Sequence, residues 1–214
     1  MAAQPEAKAE EARVYVVDDD AAIRTYLQWL IESVGLRAEI YESPTDFLAS
    51  YDPEAPSCLL LDVRLPGLSG FEVQEQLQER RITIPIIMMT GYGEVPMAVR
   101  AMKQGAMDFI EKPLDGQMVL DRVQKAIARN RAQRRETDER ARAVERLQSL
   151  TPRQRDVLEG LLAGKASKEI AATLGVSPST VDVHRSRLMQ RLSVDSLAGL
   201  FRLVQLARDQ VERA

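Results

Sequence analysis

The chain alternates between short, unbroken apolar runs and longer amphipathic stretches. Val14–Val17, Cys58–Leu61 and Ile86–Met89 contain no charged residue and no polar break. A strand with one wet face alternates, whereas a continuous run this short fits a strand buried on both faces of a parallel sheet. Strands are expected over Arg13 to Val17, Arg37 to Tyr41, Cys58 to Asp62, Ile84 to Thr90 and Met107 to Glu111. Between them apolar residues recur at helical spacing: Ile23, Leu27, Leu30, Ile31 and Val34, then Phe47 and Leu48, then Phe71, Val73 and Leu77, and later Val119, Val123 and Ile127. Local signals bound these helices. Gly35 ends the first, Ser43-Pro44 opens the second and Ser69 caps the third; the fourth runs from Val95 to Lys103 and stops at Gly105, and the fifth begins near Asp115. Five strands alternating with five helices over residues 13–127 predict an α/β fold with a doubly wound, five-stranded parallel sheet.

The pattern then changes. Residues 128–147 are rich in arginine and glutamate, with Glu136–Arg140 and Asp138–Arg142 spaced as i,i+4 pairs. Apolar residues there are too sparse for a core, so a solvated linker helix is expected, with a flexible charged linker as the alternative. Residues 148–214 predict an all-α unit of four helices. Thr151-Pro152 with Gln154 forms a capping box ahead of Val157, Leu158, Leu161 and Leu162. Ser167 is expected to cap Lys168 to Leu174. Gly175-Val176-Ser177 is a tight turn, and Ser177-Pro178 starts a helix through Leu192, completing a helix-turn-helix pattern. A last helix, from about Ser196 to Ala207, is expected to pack Leu197, Leu200, Phe201 and Val204.

Charge sharpens this division. The net charge of -3 conceals 17 Lys and Arg against 11 Asp and Glu in residues 129–214, and 12 against 21 in the rest. Balances of +6 and -9 point to a polyanion partner for the second half alone. Cys58 is the only cysteine, which removes a disulfide framework or thiolate metal site from consideration. Residues 1–12 read as a solvated, disordered tail without the apolar segment of a signal peptide. No run is long enough to span a bilayer. A cytoplasmic protein without a membrane partner is the expectation.

The candidate chemistry sits at strand ends, where open α/β sheets bind their ligands. Asp18, Asp19 and Asp20 follow the first strand, Asp62 ends the third, Thr90 the fourth, and Lys112 follows the fifth. Asp18, Asp19 and Asp62 offer the oxygen ligands that Mg²⁺ requires, Mn²⁺ being the substitute. Asp62 is placed to attack a phosphoryl group, with Lys112 neutralising the phosphoryl oxygens and the Thr90 hydroxyl donating to one of them. Taken singly, a lysine is usually solvated, a threonine a strand-end cap, and aspartates turn residues. Their joint placement carries the reading.

Val17-Asp18-Asp19, Leu61-Asp62 with Pro66-Gly67, Thr90-Gly91 and Lys112-Pro113 resemble the marks of a two-component receiver domain with a flavodoxin-like fold. Gly91 to Val99 and Asp108 to Pro113 are similar to its FixJ branch. Thr151 to Leu158, Lys168 to Ala171 and Ser177 to His184 resemble the LuxR/NarL-type helix-turn-helix, in the FixJ order. The resemblance implies a response regulator in which a cognate sensor histidine kinase phosphorylates Asp62, driving homodimerisation and sequence-specific binding of double-stranded operator DNA to regulate transcription. It implies a metal site of Asp18, Asp19, Asp62 and the Arg64 backbone carbonyl. Thr90, Gly91, Phe109, Lys112 and Pro113 become the phosphoryl-binding and switch residues, with Lys112-Pro113 usually cis. Val95, Val99 and Lys103 become a dimer surface, and RNA polymerase a further partner.

The helix from Ser177 is expected in the major groove. Ser177, Ser179 and Thr180 suit phosphate oxygens, and Lys168, Arg185 and Arg187 add charge; Asp182, Val183 and Ser186 face base edges by family position. Asp182 departs from the lysine of the NarL branch; it accepts from cytosine N4 or orients Arg185. Val181 and Leu188 are expected in the core, and His184 lacks a partner for a metal.

Two other functions compete. A haloacid-dehalogenase-type phosphotransferase also uses a strand-end aspartate and Mg²⁺, but Asp62-Val63-Arg64 lacks its second carboxylate. A phosphate-independent DNA-binding protein would have no reason to keep Asp18, Asp19, Asp62, Thr90 and Lys112 together. Turnover of an external substrate is not expected.

Overall fold

The computed structural model describes residues 11–91 and 95–211, with side chains to residue 208. Residues 1–10 of the expected tail 1–12, and Tyr92, Gly93 and Glu94 of the Gly91–Val99 motif, lie outside the described residues. The chain divides into two compact units, residues 1–134 and 135–214.

In the first unit β1 (Arg13–Val17), α1 (Ala21–Glu32), β2 (Arg37–Tyr41), α2 (Pro44–Ser50), β3 (Ser57–Asp62), α3 (Gly70–Glu79), β4 (Ile86–Thr90), α4 (Val95–Lys103), β5 (Asp108–Glu111) and α5 (Gly116–Gln148) follow in order, α5 running on past the unit's end. All strand pairings are parallel, in the order β2-β1-β3-β4-β5. Side chains on a strand point alternately to opposite faces. Val14, Val16, Cys58, Leu60, Ile87 and Met89 therefore pack against α1 and α5 on one face. Tyr15, Val17, Leu59, Leu61, Ile86 and Met88 pack on the other, against Phe47, Phe71, Val73, Leu77 and Ala101. Both faces are dry, as the unbroken runs required.

Caps follow the sequence signals. The Ser43 hydroxyl accepts from the Asp46 amide with Pro44 in the first turn, and Ser69 and Glu72 close a capping box. β3 starts one residue early at Ser57 and β5 one late at Asp108, and three further differences bear on the core. Ala12, expected in the tail, is buried in the core. β4 begins at Ile86, because Pro85 has no amide to donate, although its carbonyl still accepts from Leu59 N at 2.9 Å. Val34 falls beyond α1 and is exposed.

The expectation of a wholly solvated segment at 128–147 is corrected. Asn130 is buried, accepting from Ser57 N at 3.0 Å and donating to Thr83 O at 3.4 Å. Arg134 donates to the carbonyls of Pro53 and Glu54. Further on, Ala143 is buried and Val144 and Leu147 pack in the core of the second unit. A few small apolar residues at helical spacing suffice there, because α6–α9 supply most of the partners.

Beyond α5, the second unit comprises α6 (Pro152–Leu162), α7 (Ser167–Leu174), α8 (Pro178–Arg191) and α9 (Leu197–Val211). Thr151 and Gln154 form the capping box. Gly175 takes φ +66° between α7 and α8, a left-handed position that glycine adopts without a Cβ penalty. Val157, Leu158, Leu161, Ile170, Val181, Leu188, Leu200 and Val204 are buried together. Leu197 and Phe201 are corrected: they stand 40% and 46% exposed, on the side of α9 turned away from that core.

Candidate functional site

The sheet order brings the carboxyl ends of β1 and β3 side by side, with Val17 paired to Leu61. Asp18 and Asp62 emerge next to one another at this switch point. Asp18 has no solvent exposure and Asp62 is 5% exposed, while Asp19 projects outward. Oxygen atoms of all three lie within 4.8 Å of one another. Lys112 Nζ stands 2.8 Å from Asp18 Oδ2 and 2.7 Å from Asp62 Oδ2. One ammonium is thus shared by two buried carboxylates. Burial raises the Asp18 carboxyl above its ordinary value against the pull of Lys112. Burial alone would lower Lys112, but the two carboxylates outweigh it and hold the ammonium above its usual range.

Backbone groups complete the rim. Arg64 N donates to Asp62 Oδ1 at 3.2 Å, which sets the Arg64 peptide beside the cluster. Thr90 is fully buried at the end of β4, and its carbonyl accepts from Lys112 N at 2.7 Å. Gly91 is exposed, the Lys112-Pro113 bond is cis, and Phe109 is half-buried against the α3–α4 face. Asp20, the third aspartate of the run, caps α1 by accepting from Ala22 N and Ile23 N.

Sequence reasoning missed three supports. Arg24 reaches back from α1 to donate to Asp18 O at 2.8 Å and to Glu42 at 3.3 Å. Gly70 packs so close that a Cβ would stand 2.4 Å from Asp62 O. Phe109 O accepts from Arg122, which is also ion-paired with Asp108. Only the glycine left a sequence signal, its place one residue after the Ser69 cap.

Hydroxyls gather at the start of α8 in the second unit. Ser177 Oγ accepts from Thr180 N at 3.2 Å and lies 2.8 Å from both Ser179 Oγ and Thr180 Oγ1. Asp182, Val183, Ser186 and Arg187 are exposed along α8 with Lys168 on α7; Arg185 and His184 are half-buried, and Val181 and Leu188 are core. Two expectations are corrected. Ser167 is the first residue of α7 rather than its cap, which is Ala166 without a side-chain bond. Ser167 Oγ instead donates to Asp182 Oδ1 at 2.8 Å, while among the described residues Asp182 makes no ion pair with Arg185.

On α4, Val95, Val99 and Lys103 are exposed, the two valines 74% and 47%. No helix among the described residues is long and apolar enough to cross a membrane.

A five-stranded 2-1-3-4-5 sheet with an aspartate–lysine rim, followed by a helix-turn-helix unit, defines a phosphoacceptor module joined to a DNA-binding one. Residues 14–124 match the response regulator receiver domain, and residues 148–204 match the bacterial regulatory proteins of the luxR family. The chain is 42% identical to the transcriptional regulatory protein FixJ of Azorhizobium caulinodans, over 92% of this chain and 94% of that one. It is 39% identical to the transcriptional regulatory protein TdiR of Thauera aromatica, over 89% and 84%. Among solved structures it resembles the response regulator StyR (TM-score 0.84, 40% identity, 91% and 98% covered) and full-length FixJ from B. japonicum (0.57, 36%, 92% and 98%).

The chain belongs to the FixJ-like response regulators, with a receiver followed by a LuxR-type DNA-binding domain. It is a transcriptional regulator of the two-component type rather than an ordinary enzyme. A kinase and DNA are the partner classes that these domains imply, and dimerisation is general in the family. Receivers hold Mg²⁺ through acidic residues, and the all-oxygen donors of Asp18, Asp19 and Asp62 fit such an ion.

Proposed function

We propose that Asp62 accepts a phosphoryl group from the phosphohistidine of a sensor kinase, and that the acyl phosphate switches dimerisation and operator binding. The observation that carries this is the shared ammonium: Lys112 Nζ lies within 2.8 Å of both Asp18 and Asp62 beside a third carboxylate. Asp62 attacks phosphorus, the bond to the histidine nitrogen breaks, and that nitrogen keeps the electron pair. Lys112 then turns from the Asp62 carboxylate to the phosphoryl oxygens, and the Thr90 hydroxyl donates to one of them. Asp18, Asp19, Asp62 and the Arg64 carbonyl would hold Mg²⁺ or Mn²⁺, which neutralises charge on the phosphoryl oxygens when bound.

Movement of Thr90 and Gly91 toward the phosphoryl group frees space that the half-buried Phe109 enters, with Lys112-Pro113 as the fixed end of the segment. The exposed Val95, Val99 and Lys103 then meet a second copy. The dimer offers two α8 helices to half-sites of double-stranded DNA. Lys168, Ser177, Ser179, Thr180, Arg185 and Arg187 take phosphates, and Val183 and Ser186 face bases, with Asp182 treated separately below. The boundaries taken are 13–127 for the receiver, 128–147 for the linker and 148–214 for the DNA-binding domain, although α5 contributes residues to both cores. RNA polymerase is the downstream partner, the cytoplasm the setting, and no external substrate is turned over.

The test is phosphate incorporation from a small acyl phosphate with Mg²⁺, read by intact mass. Wild type should gain one phosphoryl group and Asp62→Asn none. Equal incorporation by the variant would remove Asp62 from the mechanism.

A further inference from the structure

A carboxylate on a helix that meets DNA repels the phosphates it approaches, so Asp182 needs a reason to be there. Two physical roles are open to it: accepting from a cytosine amino group, or holding something on the protein. Its Oδ1 is already engaged. Ser167 Oγ donates to it at 2.8 Å across the angle between α7 and α8. Among the described residues this is the one side-chain-to-side-chain hydrogen bond joining those two helices.

The far side of the bond explains its value. α7 starts at Ser167 without a side-chain cap, its cap position being Ala166. Its first turn is held from within by backbone bonds from Glu169 N and Ile170 N to Ala166 O, at 2.9 and 3.1 Å, and by the Glu169 carboxylate, which accepts from Ala166 N at 2.7 Å. Ile170 and Ala171 are buried in the common core, but Ser167 and Lys168 lie ahead of that anchor, Lys168 exposed. The cap position has no side-chain acceptor for the first amides of α7, so an external tie adds to what holds this turn. Asp182 supplies the tie from the fifth residue of α8.

We propose that Asp182 is a positioning residue rather than a base reader. Through Ser167 it fixes the first turn of α7, and with it Lys168, against the recognition helix. The phosphate-contacting and base-contacting parts then meet the duplex as one preorganised surface, with less ordering left to do on binding. This rests on the DNA-binding reading above, with α8 in the major groove.

The experiment uses the full-length chain, treated with an acyl phosphate, and the duplex it enriches from a randomised pool. Asp182→Asn removes the charge but keeps an acceptor for Ser167; Asp182→Ala removes both. Asp182→Asn should bind all sequences more tightly, as one repulsive charge is lost. Asp182→Ala should bind the enriched duplex roughly fivefold more weakly than Asp182→Asn, the size of one net hydrogen bond. Ser167→Ala should weaken Asp182→Asn by the same factor and leave Asp182→Ala unchanged, a full coupling in a double-mutant cycle. Ser167→Thr, which retains the hydroxyl, should restore binding. Preference among single-base variants of the duplex should be kept throughout. The unfolding midpoint should not follow the affinities, because Val181, Ile170 and Leu188 hold the fold.

Loss of preference at one base pair in both Asp182 variants, with Ser167→Ala silent, would make Asp182 a base reader and overturn the proposal. Additive effects of the two sites would overturn it as well. If wild type enriches no sequence, the DNA-binding reading itself fails, an outcome distinct from either.

Discussion

Replacing Asp18 with asparagine should make the metal-free protein more stable. Asp18 is fully buried and shares Lys112 with Asp62, so two negative charges face one positive charge. At an effective dielectric of about 20, losing the Asp18 charge forfeits ~6 kcal/mol of attraction to Lys112 across 2.8 Å. It relieves at least ~3.5 kcal/mol of repulsion with Asp62, whose oxygen lies within 4.8 Å. It also removes the several kcal/mol that dehydrating a carboxylate costs. The balance favours the variant by about 1 kcal/mol, because Lys112 keeps Asp62 as its partner while the larger penalty disappears. The pH dependence follows from the raised Asp18 value. The folded state holds the Asp18 proton more tightly than the unfolded chain does, so the cost of the charge is fully present above the folded value. It is absent below the unfolded one, near 3.8. Urea unfolding with chelator, followed by circular dichroism, should therefore show the variant ahead at neutral pH and the gap closing on acidification. Millimolar Mg²⁺ should reverse the order, stabilising wild type by its binding free energy and the variant much less. A variant less stable than wild type in chelator at neutral pH would refute the reasoning.

Asn130→Ala should destabilise the first unit by about 2 kcal/mol in urea unfolding, because it strands the buried Ser57 amide. A fragment starting at residue 136 should unfold at higher urea than one starting at 148, since Ala143, Val144 and Leu147 belong to the second core; equal midpoints would make those residues dispensable. Gly70→Ala should slow phosphorylation by an acyl phosphate, because a Cβ there would stand 2.4 Å from the Asp62 carbonyl oxygen; an unchanged rate would show that the backbone around Asp62 yields without cost. Arg24→Ala should weaken Mn²⁺ binding, measured by electron paramagnetic resonance, through loosening of the Asp18 carbonyl.

Much of this is legible in the sequence. Unbroken runs such as Leu59-Leu60-Leu61 specify double-sided burial, and strand-end chemistry follows from the parallel topology alone. Both features place Asp18, Asp62 and Lys112 on one rim. What could not be read were interactions without periodicity. Asn130 lies in a run of arginines and glutamates, and nothing local distinguishes it from a solvated amide. Phe201 sits at the right spacing for a core residue, but spacing fixes only a helical face, and the remaining helices decide how wide that face is. Ser167 looked like a cap because serine before a helix usually is one. The helix began one residue early, with Glu169 closing its first turn from within, and this freed the hydroxyl for Asp182.

The burial of Asn130 bears on how such proteins exchange parts. The receiver family match ends at residue 124, yet the first unit continues to Arg134, and Asn130 plugs the gap between the starts of β3 and β4. A recombination event cutting where the family pattern stops would deliver a receiver with an unstoppered floor and a recipient bearing an orphaned amide side chain. Viable chimaeras between relatives should accordingly have their joints downstream of Arg134, within the arginine-rich stretch before Ala143. That charged stretch, unremarkable as a connector, is where shuffling leaves both cores whole.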